Sequence, residues 1–306
     1  MTAFVFPGQA AQKVGMGRDL HEAVPEARAV FEEANEALGF DVARLCFEGP
    51  QDELTATENA QPAILTCSVA ALRALEASGV PAPGICAGHS LGEYSALVCA
   101  GALDFVEAVR LVRKRGEFMA RATEGTMAAI LGLDGEAAKA VCERASAFGI
   151  VVPANFNDPS QVVISGEQPA VDEACRLAKE AGATRAVPIA VSGAFHSPLM
   201  REAAERLAAE LTQAPIRDAR IPVVANMDAQ PKRAADDLRE ALAGQVTSGV
   251  LWQQSVERIA ALGGERFVEV GPGKILSGMI RRILPDARVL NAEDGASVAA
   301  VAAELA

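Results

Sequence analysis

The segment Gly88-His89-Ser90-Leu91-Gly92 has the residue types and spacing of a turn that exposes a nucleophilic serine. Apolar residues 84–87 before it predict a short buried strand, and residues 93–98 after it have helical character. The two glycines remove Cβ atoms that would collide where the helix folds back on the strand. Ser90 is therefore predicted at a helix N-terminus, where the amide of Leu91 can donate to an oxyanion. An ordinary glycine-bounded turn is the alternative interpretation.

A serine nucleophile needs a base that titrates near neutrality, and the sequence contains three histidines. His21 lies in a polar stretch that predicts an exposed helix face. His89 is adjacent to Ser90, and neighbouring side chains diverge at a sharp turn. His196 lies in a glycine-containing loop followed by Pro198, which can begin a helix. Elimination therefore indicates His196 as the base, and a hydrogen-bonded structural histidine is the alternative.

Short apolar strands alternate with alanine-rich helices over residues 2–122, which is typical of an α/β layer with a parallel sheet. The same alternation returns in the last third of the chain. The predicted strands are 4–6, 221–225 and 266–270, and the predicted helices are 24–38, 63–77, 105–120, 255–262, 275–284 and a terminal helix from 296. Gly271-Pro272-Gly273 is interpreted as a structural turn.

The middle of the chain follows a different order. Strands are predicted at 127–133, 150–155, 161–165 and 184–189, and helices at 136–147 and 169–181. This β-α-β-β-α-β order is the ferredoxin-like split unit. We therefore predict an α/β protein in which residues 1–122 and 196–306 form a larger α/β-hydrolase-like domain with a parallel sheet, and residues 123–195 form an inserted ferredoxin-like subdomain. Ser90 and His196 flank the insertion and are expected to meet in the cleft between the lobes.

Composition narrows the classes of function. With 306 residues, 50% of them hydrophobic, the chain can bury a sizeable core, and its net charge of -12 argues against a nucleic-acid partner. Six cysteines without a C-x-x-C pair favour reduced thiols and a cytoplasmic location. The N-terminus does not resemble a signal peptide, and no segment approaches a membrane span. We expect a monomer without metal, cofactor or membrane partner.

Four segments together resemble the malonyl-CoA:acyl carrier protein transacylases and the acyltransferase domains of polyketide synthases. They are Phe6-Pro7-Gly8-Gln9-Ala10-Ala11-Gln12, Gly88-His89-Ser90-Leu91-Gly92-Glu93, Gly193-Ala194-Phe195-His196 and Glu269-Val270-Gly271-Pro272-Gly273. The resemblance spans essentially the whole chain. Each motif alone is weak evidence for the family, but four motifs in the family's order are strong evidence. It implies that a malonyl group passes from malonyl-CoA to the pantetheine thiol of acyl carrier protein through a seryl ester.

The resemblance also implies roles for single residues of the reacting centre. Ser90 matches the nucleophile, and His196 matches the base that activates first the serine and later the incoming thiol. The backbone amides of Gln9 and Leu91 match the oxyanion hole. Gln9 is also counted among the substrate-binding residues.

Two further residues match positions that select the acyl group. Arg115 matches the arginine that holds the free carboxylate of the malonyl group, for which a planar guanidinium is suited. Without the family, the basic run around it predicts a solvated helix face. Phe195 matches the malonyl-selective residue that fills the space a methyl branch needs, a preference worth about 1–3 kcal/mol.

Two positions depart from the family's pattern. Ala10 stands where glycine is common, so a φ below zero or a slightly shifted turn is expected there. Leu251 precedes Trp252 where many relatives have glutamine. The main-chain carbonyl of that position orients the histidine in the family. Any residue supplies this carbonyl, so Leu251 is expected to orient His196 in the same way.

Three alternatives stay open. The same exchange serves fatty-acid and polyketide synthesis, so the chain is alternatively a trans-acting polyketide synthase malonyl acyltransferase. A serine hydrolase is less favoured, because that class has an acid between the serine and a histidine near the C-terminus. A non-catalytic subunit that docks a carrier is disfavoured by the intact Ser90, His196 and Arg115. Docking of an acidic carrier needs a basic patch, formed by Arg110, Arg113 and Lys114 or by Lys274, Arg281 and Arg282.

Overall fold

A computed structural model describes residues 1–191 and 193–305 of the chain. The strands are β1 (Thr2–Phe6), β2 (Ile85–Gly88), β3 (Thr126–Leu131), β4 (Val151–Asp158), β5 (Gln161–Gly166), β6 (Arg185–Ile189), β7 (Val223–Val224), β8 (Pro231–Lys232), β9 (Arg266–Val270) and β10 (Arg288–Ala292). The helices are α1 (Arg18–Ala23), α2 (Pro25–Leu38), α3 (Val42–Glu48), α4 (Gln51–Thr55), α5 (Thr57–Ala77), α6 (Gly92–Cys99), α7 (Phe105–Arg121), α8 (Gly135–Ala145), α9 (Gln168–Glu180), α10 (Arg201–Gln213), α11 (Ala235–Gln245), α12 (Trp252–Ala261), α13 (Ile275–Ile283) and α14 (Gly295–Leu305). Among the described residues, none of these helices has the length and apolar character needed to cross a bilayer.

The larger sheet holds the serine turn at the end of one of its central strands. Its strand order is β10-β9-β1-β2-β7-β8, and neighbouring strands are parallel except β7 and β8. β1 and β2 pair from Ala3 opposite Ile85 to Phe6 opposite Gly88. Because parallel strands end at the same edge, the loops after β1 and β2 lie side by side and bring Gln9 into the region of Ser90.

The second sheet is antiparallel and separate, with the order β4-β5-β3-β6. Its elements follow one another as β3-α8-β4-β5-α9-β6. Helices α8 and α9 close one face of this sheet over a core of their own, which includes Ile130, Ile164, Val141 and Leu177. The mixed α/β class with a parallel sheet, predicted from the alternation of elements, is confirmed.

Helix α7 carries Arg115 on its buried face. Its buried positions recur every three or four residues, as expected for a helix that packs one side on the core: Phe105, Ala108, Val109, Leu111, Val112, Arg115, Gly116 and Met119. At Gly116 the backbones of α7 and α5 approach closely, since a Cβ there would lie 2.8 Å from Cα of Glu58. This close packing brings Arg115 beside α5.

Helix α5 begins earlier than the sequence predicts. The predicted helix starts after Pro62, yet the structure begins α5 at Thr57 and includes Pro62 in its interior. A proline removes the donor to the carbonyl four residues earlier, here that of Glu58. That carbonyl accepts instead from Arg113 Nη1 at 3.1 Å, so the proline leaves no unpaired group in the helix.

Candidate active site

Ser90 lies at the turn between β2 and α6, and its backbone adopts a left-handed φ of 51°. The turn is tight. A Cβ on Gly88 would lie 1.9 Å from the carbonyl carbon of Gly92, and a Cβ on Gly92 would lie 2.1 Å from the carbonyl oxygen of Phe6. Both glycines are therefore required by backbone contact. A non-glycine residue in this conformation costs about 1–3 kcal/mol, and such strain concentrates at functional sites.

His196 faces the serine hydroxyl. Its Nε2 lies 2.8 Å from Ser90 Oγ, and its Nδ1 lies 2.9 Å from the carbonyl oxygen of Gln245 and 3.2 Å from that of Ser248. Carbonyl oxygens only accept, so Nδ1 carries the proton and Nε2 is free to accept from the serine hydroxyl. The hydrogen-bond pattern thus selects the tautomer that a general base requires.

The expectation for Leu251 is wrong. The carbonyls that hold His196 belong to Gln245 and Ser248. The Leu251 carbonyl accepts instead from the backbone and the hydroxyl of Ser255, in the first turn of α12. Because the first residues of a helix orient their carbonyls along its axis, that oxygen is committed to the helix.

His196 is held in the neutral form. The side chain is buried, and its burial, followed by the nearby Arg115 guanidinium, lowers the pKa of His196 from 6.5 to about 3. The two carbonyl contacts at Nδ1 oppose this shift only in part. The imidazole is therefore unprotonated, and able to accept a proton, at every pH near neutrality.

Arg115 is buried beside the same hydroxyl. Its Nη2 donates to Ser90 Oγ at 3.0 Å and to Gln245 Oε1 at 2.9 Å, and its Nη1 donates to Gln61 Oε1 at 2.7 Å. The guanidinium also lies over the ring of Tyr94, 5.7 Å from its centre. All three acceptors are neutral oxygens, which leaves the cation available to an anion that enters the site.

A polar network lies beneath the serine turn. The Ser90 amide donates to Asn226 Oδ1 at 2.7 Å, and Asn226 Nδ2 donates to the carbonyl of Gly88 at 2.6 Å. Gln245 Nε2 donates to the Ser90 carbonyl and to Glu93 Oε2, both at 2.9 Å. These side chains fix the backbone on both sides of the strained serine.

The other two histidines lie away from the serine hydroxyl. His89 Nε2 is 2.9 Å from Asn157 Oδ1, and its ring packs on Trp252, so it supports the turn. His21 is half-buried and packs against Phe31 and Phe47, which corrects the expectation of a solvated side chain.

The loop after β1 carries Gln9 to the cleft. Gln9 Nε2 donates to Thr57 Oγ1 at 3.2 Å. Ala10 has a φ of 87°, so the expectation of a negative φ at this position is wrong. The amide of Ala10 donates to Gln12 Oε1 at 2.8 Å, a local contact that helps to hold the left-handed turn without glycine.

A cavity of about 390 Å³ lies between the two sheets. Ser90, His196, Gln9 and Phe195 line it, together with Met127 and Val163 of the antiparallel sheet and Leu276 and Met279 of α13. Leu91 precedes the first helical residue of α6, so its amide belongs to the unpaired donors of that helix end. Of the predicted site residues, Leu91 and Arg115 are buried and do not line the cavity; Leu91 follows Ser90 in the chain, and Arg115 contacts the Ser90 hydroxyl.

The sequence reasoning missed Gln61, Asn226 and Gln245. These uncharged side chains lie in segments without a recognisable motif, and only their contacts in the fold reveal them. Within residues 1–191 and 193–305, no group of three or more His, Cys, Asp or Glu side chains is arranged to hold a metal ion.

A hydroxyl that donates to a neutral imidazole is suited to receive an acyl group and pass it on, and a tight α/β turn is a common support for such chemistry. The fold and the site thus define an acyl-transferring enzyme. The chain belongs to the family whose model is described as the acyl transferase domain, which matches residues 3–305.

Relatives with known names cover almost the whole chain. It is 50% identical over 285 residues to the malonyl CoA-acyl carrier protein transacylase of Bacillus subtilis, covering 92% of this chain and 90% of that protein. It is 48% identical over 306 residues to the protein of the same name in Escherichia coli K12, covering 99% of both.

Solved structures agree with the fold in detail. The transacylase of that name from Coxiella burnetii superimposes with a TM-score of 0.97 at 42% identity, over 99% of this chain and 97% of that one. A malonyl-transacylase solved in complex with its type II PKS acyl-carrier protein superimposes with a TM-score of 0.96 at 42% identity, over 99% of both chains.

Proposed function

We propose that this protein transfers a malonyl group from malonyl-CoA to the pantetheine thiol of an acyl carrier protein. The observation that carries the proposal is the position of Ser90 Oγ, 2.8 Å from His196 Nε2 and 3.0 Å from Arg115 Nη2. A nucleophile placed between a base and a buried cation suits an acyl group that ends in a carboxylate. The names of the full-length relatives support the same reaction.

In the first half-reaction, His196 Nε2 takes the hydroxyl proton as Ser90 Oγ attacks the thioester carbon. The amides of Gln9 and Leu91 stabilise the resulting oxyanion, and each such donor is worth about 3 kcal/mol of barrier. The carbon–sulfur bond then breaks, and His196 returns the proton to the departing coenzyme A sulfur. The products are the malonyl ester of Ser90 and free coenzyme A.

In the second half-reaction, the pantetheine thiol of the carrier replaces coenzyme A. His196 takes the thiol proton, the sulfur attacks the ester carbon, and Ser90 Oγ leaves with that proton. Transfer competes with hydrolysis, so the cleft between the sheets must exclude water while it admits a long, thin thiol arm. The apolar side chains of Met127, Val163 and Met279 along the cavity support this role.

Arg115 and Phe195 select the acyl group in this proposal. The Arg115 guanidinium binds the free carboxylate of the malonyl group, and its fixed contacts to Gln61 and Gln245 orient it for that purpose. Phe195 lines the cavity next to His196 and disfavours a methyl branch by filling part of the space that it needs.

The carrier docks at the mouth of the cleft in this proposal. Lys274, Arg281 and Arg282 flank or lie on α13, whose residues line the cavity. Ion pairs engage members of both candidate groups: Lys274 pairs with Glu293 and Arg282 with Asp158, just as the three basic side chains of α7 pair with glutamates. The proximity of α13 to the cavity is what favours the first group. Both fatty-acid and polyketide carriers have the thiol arm that the reaction needs.

We also propose a finer classification of the fold and setting. Strand order β4-β5-β3-β6 with helices α8 and α9 supports a ferredoxin-like subdomain at residues 123–195, inserted in an α/β-hydrolase-like domain formed by 1–122 and 196–306. Ser90, His196 and Arg115 contact one another within a single chain, and we propose a monomer as the active unit. Six free cysteines support a cytoplasmic location.

The proposed malonyl transfer is tested by incubating the protein with malonyl-CoA and measuring its intact mass. We expect a lasting malonyl adduct on Ser90 that is discharged by the thiol of a carrier protein. Rapid release of free malonate would favour the serine hydrolase, and absence of any reaction would favour the carrier-docking subunit. A panel of fatty-acid and polyketide carriers then separates the two pathways by their kcat/KM.

The state of His196 gives a pH prediction. Because the pKa of His196 is lowered to about 3, the base stays neutral across the range between about pH 5 and 8, where free histidine titrates. Inactivation of Ser90 by a small uncharged sulfonyl fluoride is therefore expected to show no protonation step near pH 6.5. A rate constant that falls tenfold with each pH unit below 6.5 would contradict this prediction.

A further inference from the structure

Arg115 carries a charge in the protein interior without a carboxylate in contact with it. Its side chain is 1% exposed, and within the described part of the chain its nitrogens donate to neutral oxygens of Gln61, Gln245 and Ser90. A desolvated cation needs a compensating anion. In the proposed function the malonyl carboxylate provides one, but the free enzyme must contain another.

Glu93 is connected to Arg115 through a single side chain. It is 1% exposed, and its Oε2 accepts from the Asn226 amide at 3.0 Å and from Gln245 Nε2 at 2.9 Å. The same Gln245 amide group presents its Oε1 to Arg115 Nη2 at 2.9 Å. Carboxylate, carboxamide and guanidinium thus form one hydrogen-bonded line, in which each bond polarises the next.

We propose that Glu93 is the counter-ion of Arg115 in the free enzyme, and that it takes up a proton when a malonyl group is loaded onto Ser90. This inference rests on the proposed function. Loading brings a second carboxylate to the one buried cation, and two carboxylates that share one cation in a low-dielectric site do not both stay ionised. The proton comes from solvent and binds a Glu93 carboxylate oxygen, and no covalent bond is made or broken.

The surroundings of Glu93 favour such a response near neutral pH. The pKa of Glu93 is raised to about 7, and burial is the largest cause. The hydrogen bonds from Asn226 and Gln245, and then Arg115 on α7, oppose this rise, while Asp228 after β7 adds to it. On its own helix Glu93 adjoins Tyr94, which interacts with both Glu93 and Arg115. Because the pKa of Glu93 lies close to neutral pH, the negative charge of an arriving malonyl carboxylate is enough to change the protonation of Glu93.

The exchange of counter-ions serves turnover. A cation that grips the substrate carboxylate equally in the ester and in the transition state lowers KM without raising kcat. An ionised Glu93 competes for Arg115, so binding of the malonyl carboxylate must also neutralise Glu93, and KM is higher than Arg115 alone would give. When the malonyl group has passed to the carrier, Glu93 loses its proton and regains Arg115, which favours release of the malonyl carrier. Glu93 is in this sense a positioning residue that acts on the substrate through Gln245 and Arg115.

Proton uptake during acylation tests the inference. Wild-type enzyme is mixed with malonyl-CoA or acetyl-CoA in weak buffer with a pH indicator at about pH 7.5, and the adduct is counted by mass. Both donors release the same coenzyme A thiol, so its ionisation cancels. We expect about half a proton taken up per malonyl adduct, and none per acetyl adduct, for a carboxyl pKa that rises by about one unit.

The substitution Glu93→Gln keeps the shape and removes the charge. Its malonyl adduct is expected to form without proton uptake, with KM for malonyl-CoA lowered about three- to tenfold and release of the malonyl carrier slowed, while acetyl kinetics change by a smaller factor. A structural defect would instead impair both acyl groups. Asp228→Asn provides a second variant, because removal of that charge is expected to shift the pH of maximal uptake downwards.

Three results would overturn the inference: equal uptake with both acyl groups, uptake that persists in Glu93→Gln, or wild-type malonyl adduct that forms without uptake. The failure of any malonyl adduct to form would refute the proposed function itself, and the inference with it. Counting adduct and proton separately keeps these two failures distinguishable.

Discussion

Replacement of Ser90 with alanine is expected to abolish the malonyl adduct and to lower malonyl transfer by at least about 1,000-fold. The hydroxyl oxygen contacts both His196 Nε2 and Arg115 Nη2. Its removal leaves the base and the cation in place but gives the acyl group no atom to bind. Intact mass after incubation with malonyl-CoA, and transfer to a carrier thiol, measure the two effects.

Ser95→Ala is the matched control for this substitution. Ser95 also lies in the segment that follows β2 and is fully buried on α6, and its hydroxyl has no hydrogen-bond partner among the residues that the structure describes. Deletion of the same atom there is expected to preserve both the adduct and the transfer rate. If Ser90→Ala still acquires one malonyl group per chain, the nucleophile lies elsewhere.

The serine turn is predictable from sequence because its motif carries both glycines that it needs. Gly88 is required by backbone atoms of Gly92 and Glu93, a few residues along the chain, and Gly92 is required by Phe6 on the adjacent strand β1. The strand β2 and the helix α6 that flank the turn are both recognisable from their own runs of apolar residues. Local steric rules therefore fix where the hydroxyl points before the rest of the fold is known.

Arg115 is predicted here only by family resemblance, although the sequence contains a physical signal for it. The apolar positions of α7, at 105, 108, 109, 112, 116 and 119, place residue 115 on the same face as these buried side chains. A charged residue within such a stripe is unusual, because burial of an unpaired charge is unfavourable. The charge run 113–115 obscures the signal, since its other two members lie nearer the surface.

Gln61, Asn226 and Gln245 are not predictable in this way. Each is a neutral polar residue whose partners lie far along the chain: Gln245 contacts residues 155 and 152 positions away, and Asn226 contacts residues 136 and 138 positions away. Such pairings arise only when β7 and the end of α11 are packed against the serine turn. Secondary-structure periodicity carries no information about them.

The β-α-β-β-α-β order of the middle segment follows from alternation and turn residues, and the structure has these elements in that order. Neither β10 nor β8 is predicted from the sequence. β8 has two residues, and β10 is an edge strand with mostly half-exposed residues, so neither has the continuous apolar run that identifies β1 or β9. Edge strands depend on pairing with a formed sheet more than on their own pattern.

Replacement of Arg115 with alanine is expected to lower kcat/KM for malonyl transfer by about 150- to 5,000-fold, because an unpaired carboxylate in a buried site costs about 3–5 kcal/mol. Acetyl transfer has no carboxylate to lose and is expected to change by less than about tenfold. The ratio of the two kcat/KM values, measured with the same carrier thiol, isolates the carboxylate contact from any general disturbance of the site.

Arg110→Ala is the matched control for Arg115→Ala, since Arg110 lies on the exposed side of the same helix and pairs with Glu107 at 3.2 Å. Its removal is expected to leave both acyl groups unaffected, because an exposed ion pair contributes at most about 1 kcal/mol. Arg115→Lys retains the charge but lacks the planar fork that Gln61 and Gln245 hold, so its malonyl-to-acetyl ratio is expected to lie between those of alanine and arginine. Equal losses for malonyl and acetyl groups in Arg115→Ala would mean that the arginine supports the serine turn and does not bind the substrate carboxylate.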